Sequence, residues 1–103
     1  MIKVSVFYPS GPETHFDMDY YCSRHIPLVR ELCGSALKGT AVEKGITGAT
    51  EGSAPRFAAM GHLLFDSVET YQSSIGPHLE QIVSDIPNYT NIQPIIQISE
   101  VMM

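Results

Sequence analysis

The chain has no tryptophan, only two cysteines, and only six lysine and arginine residues against eleven acidic ones. The formal charge of −5 argues against nucleic acid as a partner, because binding to phosphates relies on clustered basic side chains. No apolar run approaches the roughly 18 residues that a membrane-spanning helix needs. The sequence therefore predicts a cytoplasmic protein without a membrane partner, folded as one domain over residues 1–103.

The two cysteines and four histidines do not form a pattern typical of a disulfide or a metal site. If one helix carries Cys22 and Cys33, they lie about 16 Å apart at roughly 1.5 Å per residue, whereas a disulfide needs Cα atoms within about 7 Å. No histidine lies four residues from another, so no metal is expected. Phosphate-binding glycine motifs are also lacking, so no nucleotide cofactor is expected. Haem stays open as an alternative, because His25 or His62 could serve as an axial ligand.

Periodicity predicts alternating strands and helices. Apolar alternation indicates four strands, at Ile2–Tyr8, Leu37–Ile46, Arg56–Phe65 and Ile92–Met102. Helical spacing predicts one helix capped by Asp17 and ended by Gly34, and a second helical region with a break at Gly76–Pro77. The order β-α-β-β-α-β predicts an α+β, ferredoxin-like domain with a four-stranded antiparallel sheet.

Three finer expectations concern the second half of the chain. Asp66 and Glu69 are expected to form a capping box at the start of the second helical region. Its inward side chains are expected to be Val68, Tyr71, Ile75, Leu79, Ile82, Val83 and Ile86. The polar stretch Thr47–Pro55 is the best candidate for a mobile lid or a disordered loop.

The sheet is expected to have one face without helices. Two helices in this topology cover only one face, yet the last strand carries isoleucines on both sides. Ile92, Ile96 and Ile98 lie on one side, and Ile95 and Val101 lie on the other. The simplest way to bury the open face is a second copy packed sheet on sheet, so a homodimer is predicted.

The segment Asp17–Pro27, DMDYYCSRHIP, is the main candidate for a functional site. Pro27 has no N–H, so the main-chain carbonyl of Ser23 is expected to lose its usual partner and the helix to kink. His25 lies on the inward face beside this kink and titrates near neutral pH, as a general acid or base does. In the alternative interpretation, His25 is a core residue that hydrogen-bonds a freed carbonyl and does no chemistry.

Three further side chains are candidates for substrate binding. Tyr21, one turn before His25, could donate its hydroxyl to a ligand oxygen, or could simply fill the core. His62 lies in an apolar strand, where it must either face the pocket or find a partner across the dimer. Tyr71 could line the same pocket, with packing as the alternative.

Three segments make the chain resemble the small EthD proteins of the dimeric α+β barrel superfamily. They are Asp17–Val29 (DMDYYCSRHIPLV), Asp85–Thr90 (DIPNYT) and Ile92–Val101 (IQPIIQISEV). The resemblance places the family's motif histidine on His25, its paired tyrosines on Tyr20 and Tyr21, and its proline on Pro27. It implies a barrel formed across a dimer, with one pocket per subunit between sheet and helices.

The resemblance also implies a class of activity. Related proteins include cofactor-free antibiotic-biosynthesis monooxygenases, muconolactone isomerases and small decarboxylases. This chain is thus expected to be a cofactor-independent enzyme of oxidoreductase or isomerase/lyase type. It would act on a small apolar carbonyl or aromatic compound, with His25 as the proton-transfer group. The alternative is a binding or accessory protein that holds a hydrophobic metabolite without chemistry.

Overall fold

Four strands form one antiparallel sheet in the order β2-β3-β1-β4 in a computed structural model that describes residues 1–103. The strands are β1 (Ile2–Pro9), β2 (Gly39–Lys44), β3 (Phe57–Phe65) and β4 (Ile95–Glu100). Strands β2, β3 and β4 are shorter than predicted, and β1 is one residue longer. The predicted α+β, ferredoxin-like class and element order are confirmed.

The first helical segment is continuous but not uniform. Helix α1 (Met18–Tyr20) leads into a π turn (Tyr21–His25), and helix α2 (Ile26–Cys33) follows. The amide of Ile26 donates to the carbonyl of Tyr21, five residues back, so the predicted disturbance before Pro27 takes the form of a widened turn. Asp17 caps the segment by accepting from the amide of Tyr20 at 3.0 Å, as expected.

The second helical region begins one residue later than predicted. Helix α3 (Val68–Ile75) is capped by Ser67, whose hydroxyl accepts from the amide of Thr70 at 3.1 Å. The predicted capping box of Asp66 and Glu69 is therefore wrong, because the helix begins one residue later and Ser67 provides the cap. After a short turn at Gly76–His78, helix α4 (Leu79–Asp85) runs into a second short turn at Ile86–Asn88.

The core lies between the sheet and the helices in two clusters. One contains Val4, Val29, Cys33, Leu63, Phe65 and Ile75, and the other contains Tyr8, Tyr21, Ile26, Ala59, Tyr89 and Ile92. Val68, Leu79 and Val83 were expected to point inward but are at least a third exposed. For Leu79 and Val83 the reason is that they border a cavity rather than pack against the core. Both cysteines are free, as predicted.

The loop Thr47–Pro55 forms a hydrogen-bonded turn rather than a lid. The amide of Gly48 and the hydroxyl of Thr47 both donate to the carbonyl of Ser53, and the Ser53 hydroxyl donates to the carbonyl of Thr50. No residue of this loop lines the cavity between sheet and helices.

Strand register decides which side chains face the helices. Val6 is paired with Ile96 and Val4 with Ile98, so both isoleucines lie on the helix side of the sheet. The sequence had placed these two isoleucines on the same side of the strand. Ile95 is paired with Phe7 and lies on the open face. No helix of the structure is long and apolar enough to cross a membrane.

Candidate functional site

A cavity of about 90 Å³ lies between the helix side of the sheet and the two helical segments. Most of its lining is aliphatic, from Val4, Val6 and Leu63 on the sheet to Ile26, Val29 and Ile75 on the helices. Its polar groups come from four side chains, Tyr8, Tyr21, His25 and Tyr71. Three of the four predicted site residues, His25, Tyr21 and Tyr71, are therefore brought together.

His25 is the last residue of the π turn and is only 5% exposed. Its Nδ1 lies 2.9 Å from Oδ2 of Asp85, while its Nε2 has no hydrogen-bond partner in the protein. The ring stacks nearly parallel on Tyr21, with centroids 5.5 Å apart. One ring nitrogen is thus fixed by a carboxylate, and the other is left for the cavity.

The partner of the ring differs from the predicted one. The alternative interpretation gave His25 a main-chain carbonyl freed by Pro27 as its partner, but the side chain of Asp85 takes that place. The π turn explains the difference, because it changes the direction of the His25 side chain relative to a regular helix. The ring therefore points across to helix α4 instead of back along its own helix.

Asp85 is held by three donors at the end of helix α4. Its Oδ1 accepts from the Tyr20 hydroxyl at 2.7 Å and from the Asn88 side-chain amide at 2.9 Å, and its Oδ2 faces His25. The two segments are joined near this point by the amide of Asp17, which donates to the carbonyl of Tyr89 at 2.8 Å. The carboxylate consequently has a fixed position and orientation.

The protonation states follow from these contacts. Burial raises the pKa of Asp85, but the hydrogen bonds from Asn88, His25 and Tyr20 outweigh it and hold the pKa below its ordinary value. Burial lowers the pKa of His25, and this effect exceeds the opposing influence of Asp85. At pH 7 the pair is therefore an ionised carboxylate and a neutral imidazole. Its Nδ1–H donates to Asp85, and its Nε2 carries a lone pair toward the cavity.

Tyr21 brings a neutral phenol to the same cavity. Burial and the neighbouring Tyr8 hydroxyl raise the pKa of Tyr21 far above its ordinary value, so it stays protonated and can donate. Its ring fits because Gly61 on β3 has no side chain. A Cβ at Gly61 would collide with the Tyr21 hydroxyl oxygen. The hydroxyls of Tyr8 and Tyr89 bond each other at 2.7 Å behind it.

Tyr71 reaches the cavity from helix α3. Its ring packs against Phe65 with centroids 5.4 Å apart, and burial raises its pKa. Its hydroxyl makes no hydrogen bond to a protein side chain, whereas the Tyr20 hydroxyl is bonded to Asp85. Tyr71 can therefore contribute one uncommitted donor to the cavity wall.

His62 does not join these residues. It lies on the open face of the sheet, where Nδ1 bonds the Ser5 hydroxyl and Nε2 bonds Oε1 of Glu43, each at 2.8 Å. The neighbouring Gly61 and Leu63 face the cavity, because side chains alternate along a strand. The expected placement of His62 beside the substrate pocket is corrected accordingly.

Asp85 is the functional residue that the sequence reasoning did not identify. The signal was present in the segment Asp85–Thr90, which carries part of the family resemblance, but nothing in it predicts contact with His25. No group of three or more His, Cys, Asp or Glu side chains converges anywhere as a metal site.

Comparison with known proteins gives one family. Residues 13–93 match the model of the EthD domain, a range that contains His25, Gly61 and Asp85. No curated protein matches the chain.

Solved structures agree with that match. The chain is similar to an EthD-like protein from Ralstonia eutropha JMP134, with 44% identity and a TM-score of 0.95, covering 99% of this chain and 92% of that one. It is also similar to an EthD family protein from Bacillus halodurans C-125, at 20% identity, with a TM-score of 0.74 and 99% of both chains covered. A protein from Arabidopsis thaliana shares the fold alone, at 8% identity with a TM-score of 0.69, over 100% of this chain and 97% of that one.

Proposed function

This chain belongs to the EthD family, and on that premise we propose a role for its cavity. The cavity binds a small, uncharged carbonyl or aromatic compound, and Nε2 of His25 moves a proton to or from it. The observation that carries the proposal is the His25–Asp85 pair, with one ring nitrogen fixed at 2.9 Å and the other directed at the cavity.

The character of the ligand follows from the lining. No Asp, Glu, Lys or Arg lines the cavity, so a charged ligand would lose its hydration without gaining a counter-charge. The phenols of Tyr21 and Tyr71 can each donate a hydrogen bond to a ligand oxygen. An apolar body with one or two oxygens, such as an enolisable ketone or a phenol, fits this lining best.

The chemistry begins with a base at neutral pH. Nε2 of His25 accepts a proton from a carbon next to a carbonyl, or from a phenolic oxygen, while Nδ1–H stays bonded to Asp85. The carboxylate stabilises the imidazolium that forms, and the Tyr21 hydroxyl donates to the oxygen on which negative charge develops. Return of the proton to a different carbon is an isomerisation, and this sequence of steps needs no cofactor.

The proposal includes a homodimer formed through the open face of the sheet. That face carries Phe7, Met60, Leu64 and Ile95, and none of the helices covers it. Two such faces packed against each other would bury these side chains together with the His62–Glu43 pair.

A second candidate function is binding without chemistry. The observation in its favour is that His25 is the only side chain of the cavity with an ordinary pKa near neutral pH, and most of the lining is aliphatic. Such a cavity can hold a hydrophobic metabolite by apolar contact alone. In that case His25 and Asp85 serve to fix the helices to each other.

Hydrogen–deuterium exchange separates the two functions. Small ketones such as cyclohexanone are incubated with the protein in deuterated buffer, and exchange at the carbon next to the carbonyl is followed by NMR. His25→Gln should cut the protein-dependent exchange by about 10²–10⁴-fold, and His15→Gln, an exposed residue away from the cavity, should not change it. Ketone binding without any protein-dependent exchange would favour the binding function, and unchanged exchange in His25→Gln would refute the role of His25.

A further inference from the structure

The cavity that contains His25 adjoins a groove on the surface. Val83, Ile86, Pro94 and Ile96 line both the cavity and the groove. The groove has a volume of about 530 Å³, is open to solvent, and runs along the segment from Pro87 to Gln93. The groove therefore begins at side chains that also border the cavity.

The cavity alone is small for the class of ligand proposed above. Its volume of about 90 Å³ is below that of an engineered cavity of about 150 Å³ that holds benzene. A ring with its polar end at His25 therefore does not fit wholly inside the cavity, and the rest of the ligand must extend toward the groove.

The mouth between the two spaces is apolar although it is exposed. Leu79 is 51% exposed, Val83 50% and Ile96 56%. Leu79 and Val83 come from helix α4 and Ile96 from strand β4, so two elements contribute to the mouth. Exposed aliphatic side chains grouped around an opening are typical of a surface that is covered by a ligand or partner.

The groove also lacks charge. Its lining contains no Asp, Glu, Lys or Arg. Two of its polar side chains are already used inside the protein. The Asn91 side chain bonds the amide of His15 and the carbonyl of Glu13, and the Thr90 hydroxyl donates to the carbonyl of His15. Only the exposed amide of Gln93 is free at the outer end.

From these observations we infer that the ligand is elongated, with a polar ring or carbonyl end at His25 and an uncharged alkyl chain of several carbons in the groove. This inference rests on the proposed function, because it takes the His25 cavity as the binding site. The four residues that line both spaces favour this occupant over a second copy of the chain, which would cover the groove without reaching His25.

A series of 4-alkylphenols tests the inference by calorimetry. Phenol, 4-ethylphenol, 4-butylphenol and 4-hexylphenol share one polar end and differ only in chain length. Each added methylene should lower Kd by about twofold to fourfold until the groove is filled, as expected for burial of an alkyl chain. NMR shifts on adding the hexyl compound should include Gln93, which phenol should leave unmoved.

Two variants and a matched control locate the chain. Ile96→Asn and Val83→Asn should each reduce the ratio of hexyl to ethyl affinity by about fivefold or more. Ile98→Asn is the control, because Ile98 shares strand and face with Ile96 and is 40% exposed but lines neither space. Ile96 and Val83 are both about half exposed, so a polar side chain at either position is compatible with folding. If one variant does not fold, the other still tests the inference.

The outcomes separate the two proposals. If phenol binds but affinity does not rise with chain length, the inference is wrong and the proposed function stands. An equal effect of Ile98→Asn and Ile96→Asn would also overturn it, because the chain would then lie elsewhere. If length has no effect and Ile96→Asn dissociates a dimer, a second copy occupies the groove and the inference is wrong. Should none of the phenols bind, the ligand class of the proposed function fails together with it.

Discussion

Nδ1 of His25 lies 2.9 Å from Oδ2 of Asp85, although 60 residues of chain separate the two. The π turn directs the imidazole toward helix α4, and Tyr20 and Asn88 hold the carboxylate in place. The pair therefore has a defined tautomer, with the proton on Nδ1 and the lone pair on Nε2.

The first prediction concerns the charge of Asp85. In Asp85→Asn the carboxylate that raises the pKa of His25 is lost while burial remains, so the pKa should fall further. A histidine titration by NMR measures this shift, and nitrogen chemical shifts report the tautomer. Glu80→Gln, an exposed acidic residue on the same helix, is the control and should leave His25 unchanged. A higher pKa of His25 in Asp85→Asn would contradict the assigned geometry.

The second prediction is the pH dependence of stability. The pKa of His25 is lowered on folding, so the unfolded chain binds more protons below its ordinary pKa of 6.5 and the free energy of unfolding decreases there as pH falls. The pKa of Asp85 is also lowered, so its contribution is present above 3.8 and is lost as pH falls below that value. Urea unfolding of the wild type and His25→Gln between pH 4.5 and 8 checks this. The variant should lose less stability than the wild type between pH 6.5 and pH 5, and identical curves would refute the role assigned to His25.

The third prediction concerns the contact between Gly61 and Tyr21. Gly61→Ala should destabilise the protein by about 1–3 kcal/mol, because the added methyl group meets the Tyr21 hydroxyl in a closed space. Removing that hydroxyl in Tyr21→Phe should recover part of the loss, so the double-mutant cycle should show coupling. Gly76→Ala is the control, since nothing lies within 4 Å of its Cβ position. Additive effects of the two changes would show that the contact does not limit packing.

The fourth prediction concerns Pro27. Pro27→Ala restores an N–H to helix α2 and removes the proline ring, which disfavours a regular helical turn before residue 27. The π turn should therefore shift toward regular α-helix. His25 should then rotate away from Asp85, and phenol affinity should fall while thermal stability holds or rises. Leu28→Ala, the next residue along the same helix, is the control for a packing change alone. Equal losses of affinity and stability in Pro27→Ala would mean that the proline serves packing only.

The fifth prediction concerns the homodimer and uses two neighbouring residues. Ile95 lies on the open face beside Phe7, whereas Ile96 lies on the helix side. Ile95→Lys should therefore dissociate a dimer formed through the open face, because a charge would be buried in an apolar interface, and Ile96→Lys should not. Sedimentation of the wild type and both variants at micromolar concentration measures this. A wild-type protein that sediments as a single 11.3 kDa chain would contradict the dimer.

Local patterns by themselves determined the architecture and part of the site. Alternation with period two on β1 and β3 and helical spacing around His25 depend only on neighbouring residues, and they predicted the element order correctly. The same local spacing placed Tyr21 one turn from His25, and the structure brings both to one cavity. The presence of Pro27 was enough to predict a disturbed helix, because the missing N–H is a property of proline itself.

Tertiary structure alone decided which distant groups meet. The alternation of side chains along a strand puts His62 on the opposite face of the sheet from Gly61, but it does not say which face the helices cover. The packing of α2 against Leu63 decides which face is covered. The orientation of His25 depends on Asp85, and that contact arises only when helix α4 packs beside the π turn. A sequence pattern reports the periodicity of one segment, whereas a hydrogen bond across 60 residues depends on how two segments pack.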